Sequence, residues 1–243
     1  MHLFCKIRII SLLSLLILLL PATPLLAQLS DKDMVVYTPS GKEKVQLFWR
    51  DEQDKVLGSL ARLLAFTGRK KQKLVFAMNG GMYMEDRAPL GLFIQEGKLL
   101  RKLNRAKGYG NFYLMPNGVF YITNDGKGAV CQTGAFRMSK NIRYATQSGP
   151  MLVVDGKIHE AFKKGSTNGN VRNGVGILPD GRMLFAMSRK EVNLYDFAEY
   201  FKNKGCKNAL FLDGFVSRTY LPAANWKQLD GWFGVMIGAV VAN

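Results

Sequence analysis

The stretches LVFAMNGGMY (residues 74–83) and NALFLDGFVSR (residues 208–218) decide how this chain is read. Each is a compact apolar run that reads as a buried strand. Each stops abruptly at a polar residue followed by glycine, Asn79-Gly80-Gly81 in the first and Asp213-Gly214 in the second. Glycine at such a point lets the backbone turn sharply or approach a ligand closely. A polar side chain at the exit of a buried strand stands on a rigid base and faces an open edge, where sites are commonly built. One such run is an ordinary strand-to-loop turn. Two of them, each behind an expected helix, point to a site.

The helices that precede these runs are the two clearest in the chain. Residues 54–66 place Val56, Leu57, Leu60, Leu63 and Leu64 on one face, with Gly68 just past the end, the spacing of an amphipathic helix. Residues 194–203 carry Leu194, Phe197, Ala198 and Phe201 as an apolar stripe. Asn193 is placed to cap this helix, Asp196 lies three residues on, and Gly205 is placed to end it.

Most of the remaining sequence reads as strands joined by tight turns. Residues 91–95 and 98–103 flank Glu96-Gly97, and 112–115 and 119–123 flank Pro116-Asn117-Gly118. Residues 151–154 and 157–159 flank Asp155-Gly156, and 175–178 and 182–188 flank Pro179-Asp180-Gly181. Asn-Gly and Asp-Gly favour hairpins because both residues tolerate positive φ. Many hairpins with two main helices predict an α+β fold built on largely antiparallel sheets, not a doubly wound parallel one.

The N-terminus reads as a targeting segment. Lys6 and Arg8 precede an almost pure Leu/Ile run over residues 9–20, which Pro21, Thr23 and Pro24 break before Ala27. The run is shorter than the roughly 20 residues of a spanning helix. Residues 1–27 are therefore expected to be a cleaved signal peptide, with an uncleaved anchor as the alternative. No Pro/Ser-rich linker follows, so one domain is expected over residues 30–243, exported to the periplasm or beyond.

Export changes the reading of the cysteines. Cys5 leaves with the signal, and Cys131 and Cys206 either form one disulfide or pack as two buried thiols. The net charge of +16 falls to +14 once Lys6 and Arg8, the only charged side chains in the first 27 residues, are removed. Such a field attracts anionic partners. In an exported chain these are phosphate-bearing envelope polymers or anionic lipid headgroups, and nucleic acid is not expected.

Elimination narrows the chemistry. Beyond the signal the chain has one histidine, His159, no GxSxG elbow, no P-loop, no HExxH and no dinucleotide fingerprint. A serine or cysteine triad would have to rest on that single imidazole. What remains are carboxylates, arginines, amides and hydroxyls in glycine-rich settings. Asn79, Gly80 and Gly81 lie in NGG, Ser148 and Gly149 in TQSGP, Arg172 and Asn173 in RNGVG, and Asp213, Ser217 and Arg218 in LDGFVSR. One carboxylate, one or two guanidiniums and several hydrogen-bonding groups suit a ligand with both an anion and hydroxyls. Asp213 with Asn79 could also ligate a hard divalent cation, although no dense carboxylate cluster demands one.

The ordered series NGGMY, GLFIQEGK, GNFYLMPNGVFY, ATQSGPMLVVDGKI, RNGVGILPDGR and NALFLDG…S resembles the exported phosphodiester glycosidase family over about residues 75–220. It departs from the family where Phe215-Val216 stand between Asp213-Gly214 and Ser217 in place of small residues. The resemblance implies hydrolysis of a sugar–phosphodiester linkage. In that reaction the leaving phosphate is already stable, so an arginine that steadies it replaces much of the acid's work. Asp213 and Arg172 are then the expected catalytic residues. Asn79, Gly80, Gly81, Ser148, Gly149, Asn173 and Ser217 are expected to bind substrate, and Glu85 or Asp86 could supply a second carboxylate. The rival readings are a non-catalytic binder of phosphate-containing envelope glycans and a basic nucleic-acid binder.

Overall fold

The computed structural model describes residues 28–213 and 216–242. The expected signal peptide and the expected turn at Gly214 lie outside the described residues. In chain order the elements are β1 (Met34–Tyr37), β2 (Lys44–Phe48), α1 (Leu60–Arg69), β3 (Gln72–Gly81), β4 (Phe93–Gln95) and β5 (Lys98–Arg101). Next come β6 (Gly118–Thr123), β7 (Gly128–Gln132), β8 (Ile142–Ser148), β9 (Met151–Val154), β10 (Lys157–Ile158) and β11 (Asn173–Ile177). The chain ends with β12 (Met183–Ser188), α2 (Leu194–Asn203), β13 (Ala209–Phe211), β14 (Thr219–Leu221), β15 (Trp226–Lys227) and β16 (Val235–Ala242).

The strands form three sheets, in the orders β1-β12-β11-β13-β9-β10, β15-β14-β3-β16-β2 and β5-β4-β8-β6-β7. Every ladder among the described residues is antiparallel. With two α-helices among the described residues, this is the α+β class expected from the turn signals. The β4–β5 and β9–β10 connections show why the signals were informative. Glu96 and Gly97 have φ of 51° and 78°, and Asp155 and Gly156 have 48° and 80°, the paired positive φ of a two-residue hairpin turn.

All three sheets turn one face toward a common core. Phe185 of β12 lies 5.3 Å from Phe76 of β3 and 5.7 Å from Phe120 of β6, ring centroid to centroid, so one aromatic from each sheet meets at the centre. The outer faces are covered separately. Helix α2 packs Phe197, Ala198 and Phe201 against Leu152, Leu184 and Ala186 of the first sheet. Helix α1 packs Leu60, Leu63 and Phe66 against Leu74, Ala77 and Met236 of the second.

Strand β3 serves both faces only because it is irregular. Ala239 pairs with Phe76 and Val240 with Leu74, leaving Val75 as an extra residue. The bulge reverses the alternation, so Phe76 and Met78 enter the central core while Leu74 joins Ala77 beneath α1.

Helix α2 matches its expected span. Asn193 accepts from the Asp196 N–H at 2.9 Å and its amide donates back to the Asp196 carboxylate at 2.8 Å. Helix α1 does not match, beginning at Leu60 rather than residue 54. The Asp51 carboxylate accepts from the Gln53 and Lys55 N–H groups at 3.0 and 2.9 Å, and Asp54 takes a left-handed φ of 61°. That local turn competes with helix. Ser59 then caps the real start by accepting from Arg62.

A second correction concerns residues 112–115, expected as a strand. Residues Asn111–Tyr113 form a short 3-10 turn, because the Asn117 amide captures the Phe112 carbonyl at 2.8 Å. The disulfide alternative is not realised either. Cys131 and Cys206 are free thiols in two different apolar clusters, and burial pushes Cys206 up to about 12. No helix among the described residues is long and apolar enough to cross a membrane.

Candidate active site

The expected site residues converge at one end of the three sheets. Asn79 lies two residues before the end of β3 in the second sheet, which continues through Gly80 and Gly81, Ser148 closes β8 in the third, and Asn173 opens β11 in the first. Asp213 follows β13 with Leu212 between them. It is only part-buried, whereas Asn79, Ser148 and Asn173 are 0% exposed.

These buried side chains hold the backbone of Asp213. The Asp213 N–H donates to Asn173 Oδ1 at 3.0 Å, and its carbonyl accepts from Asn79 Nδ2, also at 3.0 Å. Ser217 Oγ lies 3.1 Å from both the Asp213 and Val171 carbonyl oxygens. Ser148 Oγ donates to the carbonyl of Leu212, one residue before. Asn79 Oδ1 in turn accepts from Asn173 Nδ2 and the Arg218 N–H, both at 3.0 Å. A buried network with its members satisfied rigidifies what it holds. Four of the residues expected at the substrate are thus placed as the framework of Asp213. Asn79 Oδ1, considered as a cation ligand, already accepts two hydrogen bonds.

The glycines serve close packing at the same place. Gly80 is the extra residue of a second β3 bulge, since Val235 pairs with Gly81 and Met236 with Asn79. A Cβ on Gly80 would sit 2.5 Å from Ile237 Cγ1, and one on Gly81 2.5 Å from Thr146 Oγ1 of the neighbouring sheet. Gly149 is hemmed in by Asn117 and the Phe112 carbonyl. All three are buried, with Gly80 and Gly81 inside the ladder.

The Asp213 side reaches a cleft of about 270 Å³ lined also by Tyr83, Tyr109, Asn111, Phe112, Tyr113 and Val216. Burial and the charge of Asp213 raise the Tyr83 hydroxyl above its ordinary value, with Arg87 opposing. The tyrosines were not singled out from sequence, although Tyr83 ends the NGGMY run and the others sit in the glycine-flanked GYGNFY (residues 108–113). Glu85 and Asp86 do not line this cleft; both are exposed, and Asp86 accepts from the Ala88 N–H at 2.9 Å.

Arg172 faces an adjoining cleft of about 240 Å³ with Lys163, Ser166, Asn168 and Tyr195, and Asn111 lines both. Its Nε donates to the Val192 carbonyl and one Nη to that of Asn168, each at 2.8 Å. The residue is 2% exposed, and burial lowers its guanidinium to about 10. No carboxylate among the described residues forms an ion pair with it. Arg218, by contrast, turns to Asp230 at 2.8 Å.

A larger cavity, about 750 Å³, opens at the opposite strand ends, between the β6–β7 and β11–β12 turns. Its carboxylates are engaged: Asp125 with Lys127, Asp180 with Arg182, and Glu43 with Ser40. Among the described residues, no three His, Cys, Asp or Glu side chains are grouped to hold a metal.

Comparison with known proteins bears on the family and the fold. The sequence pattern of the phosphodiester glycosidases matches residues 72–234. YigE, an uncharacterised protein of Escherichia coli, is 41% identical over 206 residues, covering 82% of this chain and 80% of its own. Among solved structures, the catalytic domain of zebrafish N-acetylglucosamine-1-phosphodiester alpha-N-acetylglucosaminidase, auto-inhibited by its pro-peptide, superposes with a TM-score of 0.59 at 16% identity. The match covers 84% of this chain and 82% of that one. A hypothetical protein from Synechocystis gives 0.52 at 13% identity over 86% of this chain and 59% of its own. At such identities the structural likeness speaks for the fold.

Proposed function

Because the chain belongs to the phosphodiester glycosidase family, we propose that it hydrolyses the bond between a sugar's anomeric carbon and a phosphodiester oxygen, in the cell envelope or outside the cell. One observation carries the reading. A carboxylate fixed through both its backbone groups lies in a cleft that adjoins, through Asn111, the cleft of a buried guanidinium with no ion-pair partner among the described residues. A buried cation without a counter-charge is costly unless a ligand supplies one. A phosphate does so.

In this reading Asp213 acts on the positive charge that develops at the anomeric carbon, either directly or by activating water. Arg172 steadies the departing phosphate, so a second carboxylic acid is dispensable. The tyrosines around Asp213 give a sugar ring apolar faces to lie on and hydroxyls to bond. The charged and apolar N-terminal segment, and the net charge of +14 that remains without it, support an exported protein working near anionic envelope polymers.

The test is turnover of a panel of sugar 1-phosphodiesters by the purified chain, with and without chelator. Release of free sugar from at least one diester is expected. Tight binding without release, unchanged in Asp213→Asn, would identify a glycan binder instead.

A further inference from the structure

Arg172 commits Nε and one Nη to carbonyl oxygens, so only part of its fork is open to a phosphate that has two non-bridging oxygens. The segment after β3 holds another guanidinium beside the same site. Tyr83 lines the Asp213 cleft, and the Arg87 guanidinium lies 5.1 Å from the Tyr83 ring centroid. On its other contact it lies 4.9 Å from the ring of Trp232, which is 55% exposed. Arg87 therefore lies over two aromatic rings, one of which lines the cleft while the other is exposed.

Stacking alone accounts for where the guanidinium lies. It does not account for the donors. Arg87 Nε is buried and has no hydrogen-bond partner among the described residues. Leaving a buried donor of a charged group unsatisfied carries a desolvation cost, which an acceptor that reached it would recover. Nor does Arg87 form an ion pair with any described carboxylate, although Asp86 is its chain neighbour.

The backbone holds this arrangement firmly. Arg87 takes a left-handed φ of 66°, and its N–H donates to the Met84 carbonyl at 2.8 Å while Met84 N–H donates to Ala88 at 2.9 Å. A Cβ on Gly234 would come within 2.7 Å of the Arg87 carbonyl and 2.5 Å of Tyr83 Cβ. A non-glycine residue held in this region is strained, and such strain is kept where the surroundings over-determine it.

We propose that Arg87, beside the Asp213 cleft, is a second anion-binding residue after Arg172, receiving phosphate oxygen of a bound sugar phosphate, with the Tyr83 hydroxyl as a neighbouring donor. The inference rests on the phosphodiester reading of the site. It makes the exposed Trp232 a reporter, since an anion drawn to Arg87 changes the charge lying over the indole.

The experiment titrates the full chain with N-acetylglucosamine 1-phosphate and, separately, with neutral N-acetylglucosamine. Calorimetry gives the affinities and tryptophan fluorescence reads Trp232. Arg87→Gln is expected to weaken the phosphate ligand by roughly tenfold or more, the loss of one charge-assisted hydrogen bond, and to leave the neutral sugar unchanged. Arg87→Lys keeps charge and stem but not the fork, so it falls between and stands in should the glutamine variant fold poorly. The fluorescence response should vanish in both Arg87→Gln and Trp232→Phe. Undiminished phosphate affinity in Arg87→Gln, with a loss in Arg172→Gln, overturns the role of Arg87 and leaves the proposed function standing. Equal affinity of the unaltered protein for the two ligands overturns both.

Discussion

Asn173 donates through Nδ2 to both the main-chain oxygen of Asn79, at 2.8 Å, and its side-chain Oδ1, at 3.0 Å. The two residues come from different sheets and 94 positions apart. Between them they hold the N–H and carbonyl of Asp213. The carboxylate is thus positioned by amides buried behind it, while its own side reaches the cleft. Asn173→Ala leaves several of these groups without partners, at about 1–3 kcal/mol for each that stays dry. Denaturant unfolding should register the loss, and turnover should fall with it. Wild-type stability in this variant would show that the network does not hold the site.

Asp213→Asn keeps shape and some hydrogen bonding but removes the charge. Turnover of a sugar phosphodiester should fall by at least roughly a hundredfold, with ligand affinity little changed. Steady-state kinetics and calorimetry on the same preparation separate the two. Near-normal turnover would move the active site elsewhere.

Arg172→Lys should impair diester hydrolysis because an ammonium cannot reproduce the guanidinium's donors to Val192, Asn168 and a phosphate together. The defect should be smaller for an aryl glycoside, whose leaving group carries no phosphate. Equal defects on the two substrates would argue that Arg172 acts only on the fold.

Phe185 is 0% exposed where the three sheets meet. Replacing it with alanine opens a cavity that both other sheets border, and the expected loss is about 3–5 kcal/mol in equilibrium unfolding. A loss below 1 kcal/mol or so would mean that the sheets close over the gap.

His159 is 3% exposed and accepts from the Ala161 N–H through Nδ1 at 3.1 Å, and desolvation lowers its pKa below 6.5. The folded protein therefore favours the neutral ring, and the unfolded chain binds the proton more readily. Its contribution to stability is complete above pH 6.5 and is lost as the pH falls from there toward the lowered folded value. Unfolding free energies between pH 7 and pH 5 should decline in the unaltered protein and decline less in His159→Gln. Identical slopes would remove His159 as the cause.

The sequence by itself determined the class of fold and the chemistry that could be present. Turn residues and apolar periodicity act over a few positions, so the hairpins at Glu96-Gly97 and Asp155-Gly156 and the cap of α2 at Asn193 were legible from local order alone. The family pattern likewise marked Asn79, Ser148, Asn173, Asp213 and Ser217 as belonging together. Only the tertiary structure decided what each does. Asparagine and serine look alike in sequence whether they face a ligand or a buried carbonyl; here the meeting of three sheets turns them inward onto Asp213. The start of α1 depended on whether Asp51 or Ser59 won its backbone partners. Tyr83, Arg87 and Trp232 come together only because β3 and the approach to β16 run side by side. Contacts of that range are set by sheet pairing and packing of the whole chain, and no short window of sequence contains them.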